Sequence, residues 1–135
     1  MRYEVVAHTA DTGIIAYGRT LAELFENAAY AMFDLMFDLA PLVAASEIEI
    51  VVEGEDLQDL MFGWLSELLF RFEVDGQVWC RFRVGIEGDR IRALVGGTSA
   101  ASLPLRGSPI KAVTMHDLEV VRKGPEWAAT VIFDV

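Results

Sequence analysis

The chain is poor in the groups that carry most protein chemistry. It has one cysteine, Cys80, and two histidines, His8 and His116, among 135 residues. A single cysteine excludes an internal disulfide and any thiolate metal cluster, in keeping with a reducing compartment, and reads as a core thiol. Neither histidine has a second histidine or a cysteine at ligand spacing, which argues against a zinc site. No apolar run approaches the ~18 residues of a membrane span. The opening Met1-Arg2-Tyr3-Glu4-Val5-Val6 is too short an apolar stretch for a secretory signal, so a soluble, cytoplasmic protein is expected. Cations are scarce as well. Eleven Lys and Arg against 21 Asp and Glu leave a formal charge of −10, which repels phosphate backbones and attracts basic surfaces or cations, so direct nucleic-acid binding is not expected. Glycine-rich phosphate loops, nucleophile elbows and paired-histidine helices are all missing, which counts against an autonomous enzyme.

What is present is a large apolar fraction, 53% of residues with three tryptophans, on a chain of ordinary domain length. One domain spanning residues 1–135 is therefore expected. Tyr3 to Ala7 and Ile14 to Gly18 read as strands around the small, polar segment His8-Thr9-Ala10-Asp11-Thr12-Gly13. Thr20 and Glu23 have capping-box spacing, and Leu21, Leu24, Phe25, Ala28, Ala29, Met32, Leu35 and Met36 follow as a helical stripe that ends before Pro41. Ser46 to Glu53 alternates as a half-wet strand. Asp56 is placed to cap a second helix that carries its stripe from Leu57 to Phe72 and turns at Gly76.

Val78 to Ile86 and Ile91 to Val95 form a predicted hairpin about Glu87-Gly88-Asp89. The glycine-, serine- and proline-rich stretch 96–109 reads as a loop. Ile110 to Met115 and Leu118 to Lys123 read as strand broken near His116, and Trp127 to Val135 alternates as the last strand. The sum is an α+β domain, two layers deep, in which two amphipathic helices cover a mixed, largely antiparallel sheet of about seven strands. Phe70 and Tyr30 fall away from their helical stripes and could anchor a protein partner.

Asp11 lies in the loop between two apolar strands. Asp134 is the penultimate residue of a hydrophobic strand, so its carboxylate and that of Val135 lie close together. Two such anions repel unless a cation or basic group stands between them, and hard cations such as Ca²⁺ or Mg²⁺ take oxygen donors of this kind. The same residues also fit a turn-making Asp11 and a solvated chain end, and residue types alone do not separate the alternatives. Lys111 is a lone charge within an apolar strand, either its outward residue or a partner for a carboxylate. A metal-dependent hydrolase built on Asp11 and Asp134 is a third reading of the carboxylates alone.

Four ordered blocks resemble the archease family. They are His8-Thr9-Ala10-Asp11-Thr12-Gly13-Ile14 with Gly18 to Ala29, Asp59-Leu60 with Trp64 to Phe70, Ile110 to His116, and Val131-Ile132-Phe133-Asp134-Val135. The resemblance implies an accessory protein, not itself an enzyme, that activates a GTP-dependent RtcB-type RNA ligase in tRNA splicing and RNA repair. It would promote guanylylation and repeated turnover. It also implies a metal site at Asp11, Asp134 and Val135, with Ca²⁺ the first candidate and Mg²⁺ the second. His8, Lys111 and His116 follow as residues that contact the ligase or order the site. A chaperone or specificity modulator of other RNA-processing enzymes, such as tRNA methyltransferases, is the alternative the family allows. This sequence departs from the family pattern at Gly96 to Ala101, where a Gly-Glu pair and a more charged loop are expected, and at Met115, where a tyrosine is expected.

Overall fold

A computed structural model describes residues 1–7 and 11–135. Ten elements follow one another: β1 (Tyr3–Ala7), β2 (Thr12–Gly18), α1 (Leu21–Met36), β3 (Ser46–Glu53), α2 (Leu57–Asp75), β4 (Gln77–Glu87), β5 (Arg90–Ser99), β6 (Ala112–Val113), β7 (Glu119–Lys123) and β8 (Glu126–Asp134). The α+β class is as expected. Among the described residues the strands number eight and divide between two sheets, one of five strands and one of three, and every described pairing is antiparallel.

Local chemistry sets the helix ends. The Thr20 hydroxyl accepts from the Glu23 amide at 3.1 Å, and the Asp56 carboxylate accepts from the Asp59 amide at 2.8 Å. Each cap satisfies a donor that the first helical turn leaves open. Gly76 closes α2 in the left-handed conformation, φ 64°, which favours glycine because it has no Cβ to clash.

Helix α1 is buried on more than its predicted stripe. Asn27, Ala31 and Phe33 are buried along with Leu24, Phe25, Ala28, Ala29, Met32 and Met36, because α1 packs against β2 of one sheet and β4 of the other. Its polar groups are spent on those neighbours. The Asn27 amide donates to the Tyr17 carbonyl at 2.6 Å and its oxygen accepts from Arg2 Nε at 3.0 Å. Glu26 accepts from the Val84 amide at 2.8 Å, on the open edge of β4. The Arg2 guanidinium lies 3.9 Å from the centre of the Tyr30 ring, so Tyr30 is engaged within the molecule and is not the free anchor that the helical wheel suggested.

The segment read as a loop from Gly96 is strand as far as Ser99. Glycine is needed there for close approach. A Cβ on Gly97 would lie 2.5 Å from the Trp79 ring, and β4 carries a register irregularity between Trp79 and Arg81 at the same level. The remaining loop is tied to the end of α1 by Arg106. Its amide donates to the Met36 carbonyl at 2.6 Å, and its guanidinium lies 2.9 Å from Asp38 and 3.0 Å from the Asp34 carbonyl. Helix α1 has no basic residue in its last turn, so Arg106 supplies from a distant segment the positive charge that a helix C-terminus favours.

Candidate functional site

Strand β8 lies inside the larger sheet, with β2 along one edge and β6 and β7 sharing the other. Its register fixes which residues meet. Thr12 pairs with Phe133, and Ala112 pairs with Asp134. Asp11, one residue before Thr12, and Asp134, one residue after Phe133, therefore stand at the same end of adjacent antiparallel strands. On the other flank the Lys111 amide donates to the Asp134 carbonyl at 2.8 Å. Three segments distant in sequence thus bring Asp11, Lys111, Asp134 and Val135 to one end of the sheet.

Asp11 is half-buried, Asp134 and Lys111 are exposed, and Val135 is half-buried. Val135 also lines a cleft of about 260 Å³ with Thr12, Leu35, Arg106, Ser108 and Ile110. The Arg106 loop is therefore next to the strand end, a neighbour that the sequence pattern did not reveal. Two Asp side chains on adjacent strand ends offer oxygen donors only, the type that suits a hard cation. Among the described residues, no three His, Cys, Asp or Glu side chains gather as a ligand group.

The other candidates lie elsewhere. His8 is outside the described residues. His116 sits in the interruption between β6 and β7, its side chain 71% exposed and its Nε2 3.3 Å from the Asp117 carboxylate, and no described contact joins it to Asp134. Asp117 takes φ 52° in that turn, a conformation that aspartate tolerates better than most residues. Lys111 extends beside a groove of about 260 Å³ formed with Phe62, Ser66, Leu69, Phe70 and Glu73 of α2. Phe70 is 56% exposed there, as its place off the apolar stripe predicts.

Cys80 is half-buried, and burial raises its thiol pKa while the nearby Arg81 lowers it. A raised pKa leaves less thiolate, which suits the core role expected of it. Tyr3 donates to the Asp34 carboxylate at 2.6 Å. Burial first, and that carboxylate second, push its hydroxyl well above the usual tyrosine range. Asp34 also accepts from the Leu39 amide at 3.2 Å and lies 3.7 Å from Arg106. It joins β1, the end of α1 and the 100–109 loop, and no sequence motif marked it.

The class defined by this arrangement is a small acidic α+β protein with two helices against antiparallel sheets and with Asp11 and Asp134 at one end of adjacent strands. Residues 3–135 match the model of the archease protein family (MTH1598/TM1083). The chain belongs to the archease family. It is 40% identical over 141 residues to protein archease of Methanosarcina mazei, covering 99% of this chain and 96% of that one. It is 36% identical over 140 residues to protein archease of Pyrococcus furiosus, covering 99% of each.

Among solved structures, Methanobacterium thermoautotrophicum protein 1598 superposes with a TM-score of 0.84 at 35% identity, covering 99% of both chains. A Thermotoga maritima protein described as an archease and possible chaperone superposes with a TM-score of 0.68 at 24% identity, covering 96% of this chain and 94% of that one. That last likeness is one of fold.

Proposed function

We propose that this protein is a non-enzymatic, cation-binding activator of a GTP-dependent RtcB-type RNA ligase. The observation that supports the reading is the β2–β8 register, in which Thr12 pairs with Phe133, so that Asp11 and Asp134 follow at the same strand end. Asp11, Asp134 and the Val135 carboxylate would hold a divalent cation, Ca²⁺ before Mg²⁺, which neutralises their mutual repulsion when bound. The strand ends, tied by the Lys111–Asp134 backbone bond, present these oxygens on a fixed frame to a partner. Acidic charge suits a basic nucleotidyl-transferring partner and steers the encounter.

The test is a multiple-turnover ligation assay with the cognate ligase and broken RNA. Wild-type protein raises turnover, and Asp134→Ala abolishes the stimulation. Full stimulation by Asp134→Ala removes the site from the proposal, and no stimulation by the wild type removes the activator role. A second reading, a chaperone for other RNA-processing enzymes such as tRNA methyltransferases, draws support from the description of the Thermotoga maritima relative as a possible chaperone. Affinity capture from extract separates the two, since recovery of a methyltransferase in place of the ligase favours the second.

A further inference from the structure

Between Ser99, where β5 ends, and Ala112, where β6 begins, the chain runs without helix or strand. Residues 104–109 are all exposed, so no side chain among them is held by the core. Every described hydrogen bond and ion pair from these residues to the rest of the molecule is made by Arg106. Its amide donates to the Met36 carbonyl at 2.6 Å, and the Ile110 amide donates to the Met36 sulfur at 3.5 Å. Both ends of the 106–110 turn therefore rest on one residue at the end of α1. The next amide, that of Lys111, donates to the Asp134 carbonyl at 2.8 Å.

The Arg106 guanidinium is anchored too. It donates to the Asp34 carbonyl at 3.0 Å and lies 3.7 Å from the Asp34 carboxylate. That carboxylate is itself fixed, because it accepts from the Tyr3 hydroxyl at 2.6 Å and from the Leu39 amide at 3.2 Å, and its side chain is only 17% exposed. Asp38 is nearer to Arg106, at 2.9 Å, but is 60% exposed, and ion pairs so open to water add little. Asp34 is thus the anchor.

We infer that Arg106, seated on Asp34, is a positioning residue for the end of the sheet where Asp11 and Asp134 stand. No described bond joins it to either aspartate, so it acts through the turn. Arg106 fixes the turn, and the turn fixes the Lys111 amide that holds Asp134. The turn also lines a cleft of about 260 Å³ together with Thr12 and Val135, the chain neighbours of Asp11 and Asp134. What this end of the sheet does rests on the cation-binding reading proposed above, whereas the positioning is a matter of backbone geometry. Cation–oxygen distances are narrowly set, so a displaced ligand weakens binding. The competing account is that burial of Ile110, 3% exposed, holds Lys111 without help from Arg106.

Amide hydrogen exchange read by NMR tests the positioning, because it separates local opening from global unfolding. In Arg106→Ala the Lys111 amide is expected to exchange about tenfold faster than in the wild type, beyond any shift shared by core amides such as that of Leu65. Arg106→Lys keeps a charge beside Asp34 and restores part of the protection, whereas Asp38→Ala leaves Lys111 within about twofold of the wild type. Calorimetric titration with Ca²⁺ reads the consequence at the site. Arg106→Ala is expected to bind about tenfold more weakly, the low end of what a metal site loses with a residue that orients its ligands. Lys111 exchange that is unchanged in Arg106→Ala, or that rises only in step with Leu65, overturns the inference and leaves Ile110 as the anchor. So does wild-type Ca²⁺ affinity in Arg106→Ala. A wild type that binds no Ca²⁺ removes the cation reading instead, and the exchange rates then decide the positioning alone.

Discussion

The Lys111 amide and the Asp134 carbonyl are hydrogen-bonded at 2.8 Å, so the candidate site is held in place by backbone and its side chains are left available. Asp134 is exposed and its carboxylate takes part in no described ion pair. Its substitution is therefore expected to cost little stability, within about 0.5 kcal/mol, as for other surface changes without a structural partner.

The proposed cation site carries a thermal prediction. A ligand that binds only the folded state stabilises it by about 2.7 kcal/mol at a hundredfold excess over Kd. Ca²⁺ is expected to raise the thermal midpoint of the wild type and to leave Asp134→Asn unmoved. Extension of the chain beyond Val135 replaces its carboxylate by an amide carbonyl and is expected to weaken the response. Scanning calorimetry with and without EDTA reads both, and an unchanged Ca²⁺ response in Asp134→Asn defeats the ligand assignment.

Arg106→Ala removes the cation at the end of α1 and leaves Asp34 and Asp38 without their counter-charge. Arg106 is about half exposed, so screening limits the loss. A cost of about 1 kcal/mol, combining the helix-end charge and the bond to the Asp34 carbonyl, is expected in urea unfolding. A variant as stable as the wild type would show that the backbone bond to Met36 suffices.

Two buried tryptophans differ in one respect. Trp64 Nε1 donates to the Phe25 carbonyl at 2.9 Å, whereas Trp79 Nε1 has no partner among the described residues. Trp→Phe removes similar volume at both positions, but only at Trp64 does it also remove a bond. Trp64→Phe is expected to be more destabilising than Trp79→Phe by about 1 kcal/mol. Equal losses by chemical denaturation would show that the Trp79 donor is satisfied in solution.

The raised pKa of Tyr3 gives an alkaline signature. Its folded pKa lies above the unfolded value of about 10, so the folded state holds the proton longer. The contribution is fully present below pH about 10 and is lost as pH rises beyond it. Tyr3→Phe should fall less steeply in urea midpoint between pH 9 and pH 11 than the wild type. Parallel profiles would disprove the link between the phenol and Asp34.

Features that depend on residues near one another were legible in the sequence. Thr20 and Asp56 cap the helices they were expected to cap, and β3 spans Ser46–Glu53 as its alternation indicated. Features that depend on long-range packing were not. Gly96 and Gly97 gave a loop signal because a glycine required for close approach, to Ala44 at Gly96 and to Trp79 at Gly97, looks the same, in one dimension, as a glycine in a turn. Phe33 and Asn27 fell outside the apolar stripe of α1 because that stripe assumed one sheet, and the helix faces two. Asp11 and Asp134 were legible as residue types, but the β2–β8 register that brings their strand ends together joins positions about 120 residues apart in the chain. Arg106 and Asp34 carried no local signal at all.

The bond from the Val84 amide to Glu26 has one more effect. Strand β4 is an edge strand, and such edges are ready templates for an incoming strand of another molecule. With α1 lying along it and a carboxylate occupying an outward amide, this edge cannot readily be extended, so strand addition to the smaller sheet has to begin at β3. Conditions that loosen α1 would uncover β4 as well and turn a protected border into a growth point for aggregation.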